Sequence, residues 1–237
     1  MTTIVTVPGI MSDARTWKAI AGRLKSEGTA LHVADTSRDT TLEDMAARAL
    51  GQTDGELVVL AHSMGGRVAM EMGRQAPGRI RAMVLSNTNA DGPSENDALH
   101  REARIAEANA DMAAYAARWV PKVISAKSAQ NAGLVAGIRE MVEDCPAEVH
   151  ERQNRALAAR PDATEYLAAF KFPVLLVTGC DDHLSTAAVN DDIAARLGDA
   201  EFVVLENAGH LLPFEQPDRL FDVVSDWLAR KRVLPGS

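Results

Sequence analysis

Leu57-Val58-Val59-Leu60-Ala61-His62-Ser63-Met64-Gly65-Gly66-Arg67 runs from an apolar segment into a serine, then into small residues and a helix-forming stretch. An apolar run that does not alternate with polar residues reads as a strand covered on both faces, as in a parallel sheet. A serine hydroxyl is a weak nucleophile at neutral pH and must be lifted clear of the backbone beside a base. A sharp strand-turn-helix elbow does this, provided that the residues two before and two after the serine are small enough for strand and helix to approach. Those positions are Ala61 and Gly65, with Gly66 behind. Glycine at both flanks is the usual pattern, and alanine at the first adds only one methyl group. A phosphate-binding turn would place glycines before the helix and a lysine after them, and neither is found here.

Five more short runs rich in β-branched residues accompany this strand: Thr3 to Val7, Leu31 to Ala34, Ala82 to Leu85, Val174 to Thr178 and Phe202 to Leu205. Helical patterns lie between them. Asp13 to Glu27 follows a possible cap at Ser12, and Leu42 to Gln52 follows Thr41, which with Asp44 fits a capping box. Ser63 to Gln75 ends before Pro77-Gly78, Thr186 to Leu197 ends at Gly198, and Pro217 opens the last helix. Such alternation predicts an α/β fold, a mainly parallel sheet flanked by helices with right-handed crossovers. From about Ser94 to Ala169 the rhythm breaks into alanine-rich helical text, interrupted at Pro121, Pro146 and Pro161. The expected organisation is a core in two parts, residues 1–93 and 170–237, with a helical cap inserted between strands over residues 94–169. Open α/β sheets hold ligands at the carboxyl ends of their strands, so an insertion at that edge becomes a lid.

The chain of 237 residues is long enough for one large core. Its 33 acidic against 25 basic residues, a net charge of −8, disfavour nucleic acid, because phosphate backbones demand clustered lysine and arginine. No apolar run approaches the roughly 20 residues that span a bilayer, and Met1-Thr2-Thr3-Ile4 leads into a strand without a signal-peptide pattern. The expectation is a cytoplasmic protein, a monomer or small homo-oligomer, acting on a small molecule away from nucleic acid and membrane. Cys145 and Cys180 are too few and too isolated for a zinc site and read as packing thiols. No metal or other cofactor is expected. The stretch Arg230 to Ser237 reads as a frayed, solvated end.

A serine nucleophile needs a histidine as base and an acid to orient that histidine. Of six histidines, His62 adjoins Ser63 and should diverge from it, His32 falls on a strand, His100 and His150 lie in the insertion, and His183 follows Val174 to Thr178. His210, in Asn207-Ala208-Gly209-His210, comes directly after a strand and before the last helix, on a loop at the same sheet edge as the elbow. Gly209 should let this loop turn, with Phe214 and Pro217 anchoring its far side. For the acid, Asp182 and Asp181 compete in Thr178-Gly179-Cys180-Asp181-Asp182-His183, the strand-end glycine favouring Asp182, while Asp91 offers a third position after Ala82 to Leu85. The chain order serine, acid, histidine matches one known arrangement of such triads.

Val7-Pro8-Gly9-Ile10, Ala14-Arg15-Thr16-Trp17, Ala61-His62-Ser63-Met64-Gly65-Gly66, Gly179-Cys180-Asp181-Asp182 and Ala208-Gly209-His210 with Pro213-Phe214-Glu215-Gln216-Pro217 resemble the α/β-hydrolase superfamily, in particular its small capped esterase and 3-oxoadipate enol-lactonase-like members. The resemblance spans Thr3 to about Asn89 and Phe172 to Arg230, but not the insertion. It implies Ser63 as nucleophile, Asp182 as acid and His210 as base, with the backbone N–H groups of Ile10 and Met64 as the oxyanion hole. It also implies a serine hydrolase acting on an ester, thioester or lactone through an acyl-enzyme. Carbon–carbon hydrolysis of a diketone, lyase chemistry, and a ligand-binding protein without turnover are the alternatives. Met11, Met112, Tyr115, Trp119 and Met141 are candidates for an apolar pocket wall, with plain core packing as the other reading, and Arg118, Lys122 and Arg139 are candidates for holding a substrate carboxylate, although a solvated helix face is the commoner role for such residues.

Overall fold

The computed structural model describes residues 2–25 and 27–234. Six strands, β1 (Thr2–Val7), β2 (Thr29–Val33), β3 (Glu56–His62), β4 (Ile80–Ser86), β5 (Val174–Gly179) and β6 (Ala200–Leu205), form one sheet in the order β2-β1-β3-β4-β5-β6. Every neighbouring pair is parallel. The central strands read as unbroken apolar runs because both faces are covered. Val5, Val7, Val59 and Ala61 point into a core closed by α2 (Leu42–Gly51), α3 (Met64–Gln75) and α8 (Ala187–Arg196). Ile4, Val58 and Leu60 point the other way, against α1 (Lys18–Leu24) and α10 (Pro217–Lys231). In α10 the residues Leu220, Val224 and Trp227 are all buried at helical spacing, each burial stabilising the layer by about 1.5–3 kcal/mol.

Because β1 lies between β2 and β3, the chain departs from this pair in opposite directions, which opens a crevice at the carboxyl ends of β1 and β3. Between β4 and β5 stand α4 (Asp97–Ala110), α5 (Met112–Val123), α6 (Ala132–Glu143) and α7 (Ala147–Ala158), with three short 3-10 turns and no strand among the described residues. Ala108, Tyr115, Val120, Ile138 and Val142 of these helices pack with Met11 and Leu211, which lie on the loops after β1 and β6. The segment is thus bound to the carboxyl edge by its own small apolar core. The short α9 (Leu212–Glu215) precedes α10.

Several local expectations are corrected. Pro121 does not interrupt a helix: it sits inside α5 two residues before the helix ends, and removes a single backbone bond there. Asp13, not Ser12, caps the first turn, its carboxylate accepting Arg15 N–H at 2.8 Å. The Thr41 cap stands as read, with its hydroxyl accepting Asp44 N–H at 3.1 Å and donating to the Asp44 carboxylate at 2.7 Å. Arg230 and Lys231 are not frayed but end α10 in ion pairs with Glu201 and Asp199, and Val233 is buried. Residues 235–237 of the expected tail lie outside the described residues. Cys145 is half-buried in the small apolar core, whereas Cys180 is exposed and is no packing thiol.

Candidate active site

Ser63 joins β3 to α3 with φ 53° and ψ −118°, a left-handed conformation that side chains rarely adopt. Such a residue costs on the order of 1–3 kcal/mol and persists only where its surroundings enforce it. Enforcement comes from both sides: Ser63 N–H donates to Ser86 O at 3.0 Å, and the first turn of α3 packs directly on the end of β1. A Cβ at Gly65 would overlap the carbonyl oxygens of Val7 and Pro8, so glycine is required there.

The structure brings Ser63, His210 and Asp182 together. Ser63 Oγ lies 2.8 Å from His210 Nε2, and His210 Nδ1 lies 2.9 Å from Asp182 Oδ2. A carboxylate can only accept, so Nδ1 carries the proton and Nε2 is left to accept the Ser63 hydroxyl. Asp182 is buried, with Oδ1 accepting the N–H groups of Leu184 at 2.8 Å and Ser185 at 3.0 Å. Burial alone would raise its pKa. The His210 charge and hydrogen bond, the Asn87 amide and the Ser185 N–H together override this and hold it below the usual carboxylate range. Asp181 and Asp91 are exposed, and neither carboxylate touches His210.

Three side chains that the sequence did not single out hold this relay. Asn87, at φ 52° just past β4, donates its amide to Asp182 Oδ2 at 2.9 Å and to Gly209 O at 3.1 Å. His62 is buried and donates from Nε2 to the His210 carbonyl at 2.8 Å, and burial pushes its pKa down to about 3. It diverges from Ser63 as expected, yet it steadies the backbone of the other histidine. The Glu215 carboxylate accepts Gly209 N–H at 2.9 Å, Leu211 N–H at 3.2 Å and Ser125 N–H at 2.8 Å. Glu215 therefore supplies the polar anchor of the His210 loop, while Phe214 packs on the apolar cluster that contains Leu211. The positive φ of that loop belongs to Asn207, at 59°. Gly209 is needed instead for close approach, since a Cβ there would come within 2.8 Å of Ile124 C and Ser125 N.

Ile10 and Met64 line one cavity with Ser63 and His210, a space of about 230 Å³. Met64 is the first residue of α3, so its N–H has no acceptor within the helix. The Ile10 loop is held from the insertion: Met11, at φ 53°, donates its N–H to Gln153 Oε1 at 3.0 Å, and Gln153 Nε2 donates to Thr36 O at 3.2 Å. Of the expected wall, Met11, Tyr115 and Trp119 line this cavity. Met112 packs instead into the apolar core of α5 and α6, and Met141 faces a separate space of about 400 Å³ beside Cys145 and Val149.

Four arginines that the sequence reading passed over, Arg67, Arg101, Arg104 and Arg160, line the Ser63 cavity. The ones proposed for a substrate carboxylate do not: Arg118 pairs with Glu107 at 3.6 Å, Arg139 pairs with Glu143 at 3.0 Å, and Lys122 lines a neighbouring cleft. Signals were present. Arg101 and Arg104 fall on the same face of α4 as the buried Ile105 and Ala108, where a surface helix would carry apolar residues. Among the described residues, no three His, Cys, Asp or Glu side chains form a group able to hold a metal ion, and no helix is long and apolar enough to cross a membrane.

A parallel α/β sheet with a serine on a strained elbow at its switch point defines a hydrolase of the α/β-hydrolase fold. The profile of the alpha/beta hydrolase family matches residues 4–223, and the chain belongs to that family. It is 24% identical to the N-formylmaleamate deformylase of Pseudomonas putida over 95% of this chain and 88% of that protein. Among solved structures, a thermophilic esterase from Thermogutta terrifontis superimposes with a TM-score of 0.87 at 25% identity, over 98% of this chain and 90% of the other. The enol-lactonase from Burkholderia xenovorans LB400 follows with a TM-score of 0.86 at 22% identity, over 96% and 91% of the two chains.

Proposed function

We propose that this chain is a serine hydrolase of small carboxylic esters, thioesters or lactones, working through an acyl-enzyme on Ser63. His210 Nε2 takes the hydroxyl proton as Ser63 Oγ attacks the carbonyl carbon, and Asp182 stabilises the imidazolium that results. The N–H groups of Ile10 and Met64 receive the oxyanion, a role worth about 10²- to 10³-fold in rate for each donor. The imidazolium then protonates the leaving alkoxide, and water, deprotonated by the same imidazole, releases the acid. Residues 94–169 act as the cap over this chemistry.

The observation that carries the reading is the continuous Ser63–His210–Asp182 hydrogen-bonded chain opening into a lined cavity. The esterase and enol-lactonase likenesses support the ester and lactone classes, and the similarity to an N-formylmaleamate deformylase supports hydrolysis of a small acyl compound. A receptor that had lost turnover would have no use for an acid-oriented imidazole on a strained serine. Turnover of a panel of short-chain esters and lactones tests the proposal. Ser63→Ala should lose about 10⁶-fold in kcat with its fold intact, and activity within tenfold of wild type would refute the mechanism.

A further inference from the structure

The Ser63 cavity is more positive than anything around it requires. Its lining holds four guanidinium groups and a single carboxylate, Asp97, in a chain whose net charge is −8. The four are not equally committed. Arg160 is spent on structure, bonding Asp91 O at 3.0 Å, Gly92 O at 3.0 Å, Leu157 O at 2.8 Å and the Asp97 carboxylate. Arg67 is buried with no carboxylate partner among the described residues, and donates to Asp91 O at 2.9 Å and to Asn89 Oδ1. Arg101 reaches Asp97 and Asn154 only at 3.3 Å each, and Arg104 makes no hydrogen bond or ion pair with a described residue. A guanidinium has five N–H donors, so Arg101 and Arg104 keep most of theirs free.

Arg101 and Arg104 stand three residues apart on α4, the spacing at which side chains share a helix face and like charges repel. A buried arginine without a counter-ion behind such a pair is unfavourable unless something negative joins them. Asp97 cannot neutralise the group, being shared between Arg101 and Arg160. Planar donor forks are suited to a carboxylate, which accepts two parallel N–H bonds.

We propose that the roof of the cavity is a subsite for a carboxylate carried by the substrate itself, with Arg101 and Arg104 as its ligands and Arg67 adding to the local positive potential. The inference rests on the hydrolase reading and deepens it: the substrate is a half-ester, a lactone acid or a similar carbonyl compound with a second, ionised carboxyl group. That group would anchor the molecule while the neutral carbonyl meets Ser63.

Monomethyl glutarate and methyl valerate, which share an acyl length but differ in the terminal carboxylate, provide the test by pH-stat. Wild type should favour the charged ester in kcat/KM by about 30-fold or more, and Arg104→Gln and Arg101→Gln should each compress that ratio about tenfold through KM. Arg104 is exposed, so its replacement leaves the core undisturbed. Arg139→Gln, at a surface ion pair, should leave the ratio where it is. A ratio at or below one, or a ratio unmoved in both folded variants, would overturn the subsite. Calorimetry on Ser63→Ala separates this from the chemistry. Preference for glutarate over valerate, lost on adding Arg104→Gln, supports the subsite even if neither ester is cleaved, an outcome that would count against the hydrolase reading alone. No such preference overturns the subsite even where both esters are hydrolysed.

Discussion

The floor and the roof of the Ser63 cavity are built on opposite terms. On the floor, the groups of the triad have their partners in place, Ser63 on His210, His210 on Asp182, Asp182 on Asn87 and two backbone N–H groups, and only Nδ1 of the supporting His62 is buried without one. On the roof, Arg101 and Arg104 have donors to spare. A satisfied network in a buried site is rigid, and rigidity is what a reaction that depends on preorganised geometry needs. Unsatisfied donors facing a cavity are what recognition needs, since the missing partner can be the ligand. On the proposed reading, the difference puts chemistry at the sheet edge and selection on the inserted helices.

The largest effect that would break this division lies on the floor. Asp182→Asn keeps the volume of the side chain but presents the wrong hydrogen-bonding group to His210 Nδ1, and should lower kcat by about 10⁴-fold with little change in KM. Steady-state kinetics on any cleaved ester checks this, and a comparable rise in KM would mean that floor and roof are not separable.

A smaller effect is expected one step out. Asn87→Gly removes the amide that supports Asp182 while keeping a residue at ease with φ 52°, so the backbone adds no strain of its own. We expect a fall in kcat of about tenfold and a loss of stability of roughly 1–2 kcal/mol, read by chemical denaturation. The acid limb of the Asp182 carboxyl titration, followed by NMR, should move to higher pH, because Asp182 loses one of the contacts that holds its carboxyl low. A purely structural role for Asn87 would leave that limb unmoved.

The mildest prediction concerns stability against pH. His62 is neutral when folded, with its pKa depressed to about 3 by burial. Its contribution is therefore fully present above the unfolded value of about 6.5 and is lost as pH falls toward about 3, because the unfolded chain binds the proton first. Its share is on the order of a few kcal/mol across that window. Denaturation at stepped pH should show this slope, and His62→Gln, which keeps an N–H near the position of Nε2, should flatten it.

The parts of this molecule that were legible in sequence are the parts fixed by neighbours in the chain. The elbow could be read because its small residues flank Ser63 directly, and His210 and Asp182 because each follows a strand within a few residues. All six strands were placed with their ends trimmed; the central β4 was read only over Ala82 to Leu85 of Ile80–Ser86, because the polar Arg81 and Ser86 interrupt its apolar run. What escaped depends on contacts between distant segments. Asn87 meets Asp182 across 95 positions and His62 meets His210 across 148, and nothing local marks either. Glu215 was quoted within a motif without a role, because its partners Gly209 and Ser125 are brought together only when the insertion folds against the His210 loop. Arg118 and Arg139 have the surface partners that a solvated helix face implies, whereas Arg101 and Arg104 share a face of α4 with the buried Ile105 and Ala108.

Intact-mass spectrometry of the protein treated with a fluorophosphonate tests the central claim most directly, because the probe reacts only with a serine that a base has activated. Wild type should gain one adduct, mapped to Ser63, and His210→Ala should slow the labelling by at least about 10³-fold while remaining folded. Equal labelling of the two proteins, or no adduct on folded wild type, would contradict an activated Ser63.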